Sequence, residues 1–130
     1  MGNAHIDSQA ILTYDETWLE QLTWLQAPLW VFDPSLARIC WANPSAVSFW
    51  QADSPASLYT RDFSDMSEVT RARLAGILAD VQAGKVVTHR WTMYPKGVPV
   101  QVSVRHRGLR RADGTLVLLH EASPQSHEEA

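Results

Sequence analysis

Two short apolar runs, Leu29-Trp30-Val31-Phe32 and Ile39-Cys40-Trp41-Ala42, flank a polar turn at Asp33-Pro34-Ser35. Turn residues between apolar runs predict a hairpin of two strands. The second run ends at Asn43-Pro44. Asn is a good N-cap, and Pro fits the first helical turn, where its missing N–H costs nothing. A short helix is therefore predicted over residues 44–50, with Val47, Phe49 and Trp50 available for burial. Upstream, residues 15–26 predict a helix with Asp15 as N-cap and Pro28 closing the segment. Trp18, Leu22 and Leu25 form its apolar stripe, flanked by Leu19, while Trp24 points to the far side. Residues 1–13 carry no periodic signal and read as a loose lead.

After the first helix, residues 51–66 read as irregular, with turn residues Asp53, Ser54, Pro55, Asp62, Ser64 and Asp65. The longest helix is predicted over residues 65–83. Asp65 and Glu68 resemble a capping box, Leu74, Ile77, Leu78 and Val81 form an amphipathic stripe, and Gly84 suits a left-handed C-terminal position. Three strands follow, over 86–94, 98–109 and 115–122, joined by Pro95-Lys96-Gly97 and Ala112-Asp113-Gly114. Val98, Val100, Val102 and Val104 alternate with polar residues, as do Val87, His89, Trp91 and Met93, so each strand has one buried and one wet face. Leu116-Val117-Leu118-Leu119 and Leu29–Phe32 are apolar on both faces, which places them at the centre of a sheet. Residues 123–130 read as a polar tail.

A length of 130 residues and 45% hydrophobic content suit one domain with an ordinary core. The net charge of −3 advertises no basic face, so nucleic acid is not an expected partner. A single cysteine excludes an internal disulfide and fits a reducing compartment. No apolar run approaches the roughly 18–20 residues of a membrane helix, and the N-terminus lacks signal-peptide features, so a cytoplasmic location is expected. Six Trp is a high count for this length. They fill a core and a partner surface, or they line a pocket that stacks on a planar ligand.

The order of helix, two strands, short helices, one long helix and three strands resembles a PAS domain, a sensory and interaction module, over residues 28–122. Val31-Phe32-Asp33, Ile39 and Asn43-Pro44-Ser45-Ala46 resemble the family's opening, and Arg61-Asp62-Phe63 its middle loop. Residues 90–97 (Arg90-Trp91-Thr92-Met93-Tyr94-Pro95-Lys96-Gly97) are similar to PAS domains at the N-termini of bacterial diguanylate cyclases and other GGDEF proteins. The resemblance implies an α+β fold: a five-stranded antiparallel sheet in the order 2-1-5-4-3, helices on one face and an N-terminal flanking helix. It implies residues 1–27 as lead and flanking helix, 28–122 as the PAS domain and 123–130 as a tail. It also implies a signalling role, in which a small ligand or dimerisation through the flanking helix regulates an output domain such as a cyclic-di-GMP synthase. Residues 120–124 depart from the Asp-Ile-Thr with which the family often ends, and the chain reads as free-standing or as the sensor piece of a longer protein.

Candidate chemistry is sparse. The long helix contains no His to act as a haem ligand of the family's kind, and Cys40 stands on a strand rather than in the Asn-Cys-Arg motif of flavin photosensors, so no cofactor is expected. Cys40 reads as a small core hydrophobe. His89, His106 and His120 lie on three successive strands, but placing residue 110 opposite 115 sets His106 against Leu119 and sends His120 to the other face. A three-His metal site would need a register slip, and no metal is expected. Ser103 beside His89 or His106 reads as a set of solvent-facing polar residues rather than a nucleophile and base. A pocket between sheet and helices is expected from Phe32, Trp50, Leu74, Leu78, Trp91 and Val102, with so many aromatics that they could close it. No catalytic residue is assigned. The alternative function is a small α+β enzyme with a conical pocket, of the isomerase or dehydratase kind, which would need a buried His–Asp or Asp–Tyr pair.

Overall fold

The computed structural model describes residues 11–124, with the side chain of Pro124 excepted. Five strands form one antiparallel sheet: β1 (Leu29–Asp33), β2 (Arg38–Ala42), β3 (Val87–Met93), β4 (Val100–Arg110) and β5 (Leu116–Pro124). Their spatial order is β2-β1-β5-β4-β3, as expected, with the two doubly apolar strands side by side at the centre. Trp30 and Phe32 face one layer of core and Val31 the other, so both faces of β1 are buried.

The β1–β2 turn is closed by Asp33, whose carboxylate accepts from Ser35 N and Oγ and from Leu36 N. Cys40 is an extra residue on β2, because Val31 pairs with Trp41 while Phe32 pairs with Ile39. Asn43 caps α2 (Pro44–Phe49) as expected, and it does more. It is fully buried: Oδ1 accepts from Ala46 N and Leu29 N, and Nδ2 donates to Leu22 O, Leu25 O and Ala27 O. One side chain thus ties the lead-in segment, β1 and α2 together.

The expectation for residues 15–26 is corrected. Asp15 caps the helix by accepting from Trp18 N, but α1 spans only Glu16–Glu20 and residues 21–24 continue as turns. Asn43 explains the break, since the carbonyls of Leu22 and Leu25 turn toward its amide. Leu19 is the buried residue of this helix and packs with Val31, Leu109, Val117 and Leu119 on the face opposite the other helices. Leu25, expected on the stripe, is exposed, and Trp24 is 86% exposed. Of the lead, residues 1–10 lie outside the described residues, and Thr13 is not loose but bridges Arg110 in parallel.

The stretch 51–66 is not wholly irregular. Ser54 and Ser57 form a reciprocal capping box, with Pro55 in the first turn, and start α3 (Pro55–Tyr59). The long helix α4 runs Glu68–Gln82, and its N-cap is Ser67, accepting from Thr70 N, rather than Asp65. Ile77 and Val81 are buried, with Leu74 and Leu78 packed partly against the core. Gly84 takes φ +88, and Gly84 N and Lys85 N close back on Val81 O and Asp80 O. That is a Schellman ending, which a left-handed glycine permits.

The β4–β5 register also differs from expectation. Arg111 N donates to Thr115 O, so Arg111 faces Thr115, leaving Ala112-Asp113-Gly114 as a three-residue tip with Gly114 at φ +91. Arg110 therefore pairs with Leu116 and His106 with His120. A one-residue change of register moves a side chain to the other face. His120 accordingly joins His106 on the helix-covered side. Among the described residues, no helix is long and apolar enough to cross a membrane.

Candidate functional site

A cavity of about 370 Å³ lies between the sheet's covered face, the loop before α4 and the first turns of α4. Strand alternation supplies its floor: Trp30 and Phe32 from β1, Ile39 from β2, Trp91 and Met93 from β3, His106 from β4 and His120 from β5. Trp50, Phe63, Met66 and Leu74 form the opposite wall. Arg61 holds the segment that carries Phe63 by donating to Trp50 O, Gln51 O and Pro95 O, and Phe63 N donates to Ala37 O. Asp62, Asp65 and Ser67 stand toward solvent at its edge, beside the half-buried Thr70.

The aromatic rings are mutually ordered. Trp50 meets Trp30 and Phe63 edge-on, both at 5.4 Å between centroids, and Phe32 meets Phe63 edge-on at 6.1 Å. Such edge contacts are favoured by the ring quadrupole and stiffen the wall. Arg73 covers the Trp91 ring at 4.3 Å and donates to Arg90 O.

Three histidines form a ladder across β3, β4 and β5. His89 lies 5.6 Å from His106, and His106 lies 4.7 Å from His120 with the rings nearly perpendicular. His106 is 1% exposed and His120 8%, and neither ring nitrogen of either has a hydrogen-bond partner among the described residues. Trp50 Nε1 and His89 Nδ1 are likewise buried and unpartnered. Burial, with the neighbouring His89 and Arg73, lowers the His106 pKa from 6.5 to about 4. Burial and His106 push His120 well below the ordinary histidine range. Both are neutral imidazoles near pH 7, each with one donor and one acceptor.

The ladder is the slipped-register arrangement that the sequence argued against. It comes without a metal geometry: among the described residues no three His, Cys, Asp or Glu side chains are placed to hold an ion. Of the six pocket residues expected from sequence, Phe32, Trp50, Leu74 and Trp91 line the cavity, whereas Leu78 and Val102 pack in the core outside it. Leu78 lies one turn beyond Leu74 along α4, past the cavity's end, and Val102 is covered in the core. The sequence reading missed Trp30, Phe63, Met66, His106 and His120. His106 was legible as the continuation of the Val102, Val104 alternation; His120 was not, because its face depends on the turn.

Ser103 faces away from His89 and His106, since Val102 and Val104 on either side of it point into the core. Cys40 is half-buried on the opposite face, where Arg111 bridges its sulfur at 3.2 Å and the Asp33 carboxylate at 2.7 Å. Burial raises the Cys40 pKa despite that guanidinium. It is no activated thiol.

No protein-family model and no curated protein matches the sequence. Solved structures do. The PAS domain of nitrogen regulation protein NR(II) from Vibrio parahaemolyticus superposes with a TM-score of 0.65 at 20% identity, over 85% of this chain and all of that one. A domain of a sensory box sensor histidine kinase/response regulator from Geobacter sulfurreducens gives 0.60 at 16% identity, over 82% and 91% of the two chains. The PAS domain from the fruit-fly ELK potassium channel gives 0.64 at 13% identity, over 88% and 99%. This chain has the PAS fold. The cavity described above lies between the PAS sheet and its helices, and the histidine ladder runs across the three C-terminal strands of that sheet.

Proposed function

We propose that this PAS-fold domain is a sensory module that binds a small ligand in the aromatic cavity and passes its occupancy to an output domain. One observation carries the reading: a cavity of about 370 Å³ lies between the sheet and the helices, lined by Trp30, Phe32, Trp50 and Trp91. The volume falls at the small end of the range for ligand pockets, roughly 300–1,000 Å³.

The domain has no turnover of its own in this reading. His106 and His120 lack the carboxylate or tyrosine partner that acid–base work in a conical pocket would require, and Ser103 stands on the wrong face to meet a histidine. The output is a diguanylate cyclase of the GGDEF kind, on the strength of the resemblance at residues 90–97 alone. A cytoplasmic location belongs to the same proposal and is supported by the single unpaired cysteine. Self-association through the segment around Trp24 belongs to it as well. The 86% exposed indole and the neighbouring exposed Leu25 support this, with the turn at residues 21–25 rather than a long helix as the contact.

Native mass spectrometry of the purified protein tests the ligand. A non-covalent adduct on the wild type that is lost in His120→Leu and Trp50→Phe is the expected result. An adduct that survives both changes, or steady turnover of a small molecule that His106→Leu abolishes, would overturn the reading.

A further inference from the structure

We infer that the histidine ladder is an acid-operated latch: protons taken up by His106 and His120 lift the amino-terminal turns of α4 off β3 while the centre of the sheet stays formed. The latch works with or without a ligand in the cavity.

The helix is anchored unevenly. In its second half Ile77 and Val81 are buried, and the Schellman ending closes it. Gly108 lets that end sit close, since a Cβ there would lie 3.3 Å from Val81 Cβ. The first half has no fully buried side chain: Thr70 and Leu74 are half-buried, and Glu68, Val69, Arg71, Ala72 and Arg73 are exposed. Arg73 holds it to β3, covering the Trp91 ring at 4.3 Å and donating to Arg90 O, while Arg71 donates to Ser64 O. Elements with few buried contacts open before the rest of a fold.

The ladder meets that first half. The Trp91 ring that carries Arg73 lies 5.8 Å from His106. His106 faces His89 from β3, Arg73 from α4 and His120 from β5. His120 faces His106 and the uncharged rings of Trp30 and Phe32 on β1. The other titratable groups around the cavity, Asp62, Asp65 and Tyr94, are exposed at its edge. A proton on His106 therefore meets a guanidinium and two imidazoles, with no carboxylate inside. The ring nitrogens of His106 and His120 are sealed, so in the closed state the new charge has neither hydration nor a partner. Lifting the turns that carry Arg73 separates the cations and admits water. The central strands are held from their other face by Leu19, Val31, Leu109, Val117 and Leu119, away from the charge.

Linkage sets the direction. An opened His106 regains a value near 6.5, whereas the closed one stays at about 4, so acid favours the open form. From pH 7.5 to 5.5 His106 multiplies the open population about tenfold, and His120 acts in the same direction.

Amide hydrogen exchange of the folded protein at pH 7.5 and 5.5, corrected for the intrinsic pH dependence of exchange, tests the latch. Low urea separates local from global opening. Amides of residues 72–75 should exchange through an opening insensitive to urea, and their protection should fall about tenfold or more in acid. Amides of β1 and β5 should be better protected at both pH values and respond to urea. His106→Leu should remove most of the acid effect at residues 72–75. Arg73→Gln should lower their protection already at pH 7.5, with β1 and β5 affected less. Protection at residues 72–75 that equals that of β5 and falls with urea would show that α4 opens only with the whole fold, and would overturn the latch. Protection unchanged between the two pH values, or untouched by Arg73→Gln, would overturn it as well. These wild-type and Arg73→Gln outcomes decide the matter even if His106→Leu does not fold.

Discussion

Two buried histidines without partners should give the folded state a distinctive acid sensitivity. His106 has its pKa lowered from 6.5 to about 4 by burial, reinforced by His89 and Arg73. In the unfolded chain it takes up a proton near pH 6.5, whereas in the folded chain it resists down to about pH 4. Between these values the unfolded state binds more protons, so stability falls as the pH falls. The group contributes its full share above pH 6.5 and loses it progressively toward pH 4. Integrating that difference gives a loss from His106 of about 1.4 kcal/mol at pH 5.5 and about 2.5 kcal/mol at pH 4.5. His120 is shifted in the same direction by burial and by His106. Each proton that only the unfolded state binds adds up to about 1.4 kcal/mol per pH unit, so His120 steepens the fall set by His106. The carboxylates work in a separate window. Burial alone would raise Asp33, but hydrogen bonds from Ser35 and Arg111 outweigh it and hold it below 3.8. Asp33 therefore keeps its contribution above its unfolded value and loses it only under more acid conditions.

Urea unfolding measured in steps from pH 7.5 to 4.5 reads the effect directly. The wild type should lose several kcal/mol, with the steepest fall between pH 6 and pH 4.5. His106→Leu removes one titrating group and one set of unpaired atoms, so its slope should be shallower than the wild type's by up to about 1.4 kcal/mol per pH unit, the worth of one proton. A wild type equally stable at pH 7 and pH 5 would refute the reasoning. The imidazoles would then be protonating freely in the folded state, and their nitrogens would not be sealed from water.

Other consequences follow from single positions. Asn43→Ala removes the α2 cap and leaves the amide's partners unpaired, so chemical denaturation should show a loss of about 2–4 kcal/mol; a loss below about 1 kcal/mol would mean the hub is not formed. At Gly108 an added Cβ would lie 3.3 Å from Val81 Cβ and from Leu116, so Gly108→Val should cost about 1–3 kcal/mol, whereas a neutral effect would show that α4 sits farther from β4. Trp24→Glu should leave stability within about 0.5 kcal/mol while dissociating a sedimenting dimer; a dimer unaffected by it, or a monomeric wild type at tens of micromolar, would place no interface there.

The elements that local chemistry dictates were legible in the chain. The turn at Asp33-Pro34-Ser35, the cap at Asn43 and the ending at Gly84 rest on residues within a few positions of one another, and the central placement of Leu29–Phe32 and Leu116–Leu119 rests on each run being apolar on both faces. What was not legible depended on long-range partners. The α1 helix stops at Glu20 because the carbonyls of Leu22 and Leu25 serve Asn43, about twenty residues later in the chain, a demand that no helical periodicity records. The missed α3 is a different case, since Ser54-Pro55 already carried an N-cap and first-turn proline; a polar surrounding stretch masked it.

The histidine ladder shows how sharply a site can depend on one turn. Had residue 110 faced 115, His120 would have joined the face packed by Leu19, and an aliphatic side chain would have taken its place beside His106. The three-residue tip at Ala112-Asp113-Gly114 instead sets Arg111 opposite Thr115 and brings the two imidazoles to 4.7 Å. The same strand ends place Arg111 on Asp33 and Cys40 across the sheet, so the register that builds the ladder is also fixed from the other face by an ion pair of 2.7 Å. Asp33 is buried, and losing one partner of such a pair leaves a charge that is costly to strand. A slip of one residue would break that pair and turn His120 away from His106 at once. The place of His120 in the cavity's floor is thus specified by contacts that never touch the cavity, which is why it could not be read from the residues that line it.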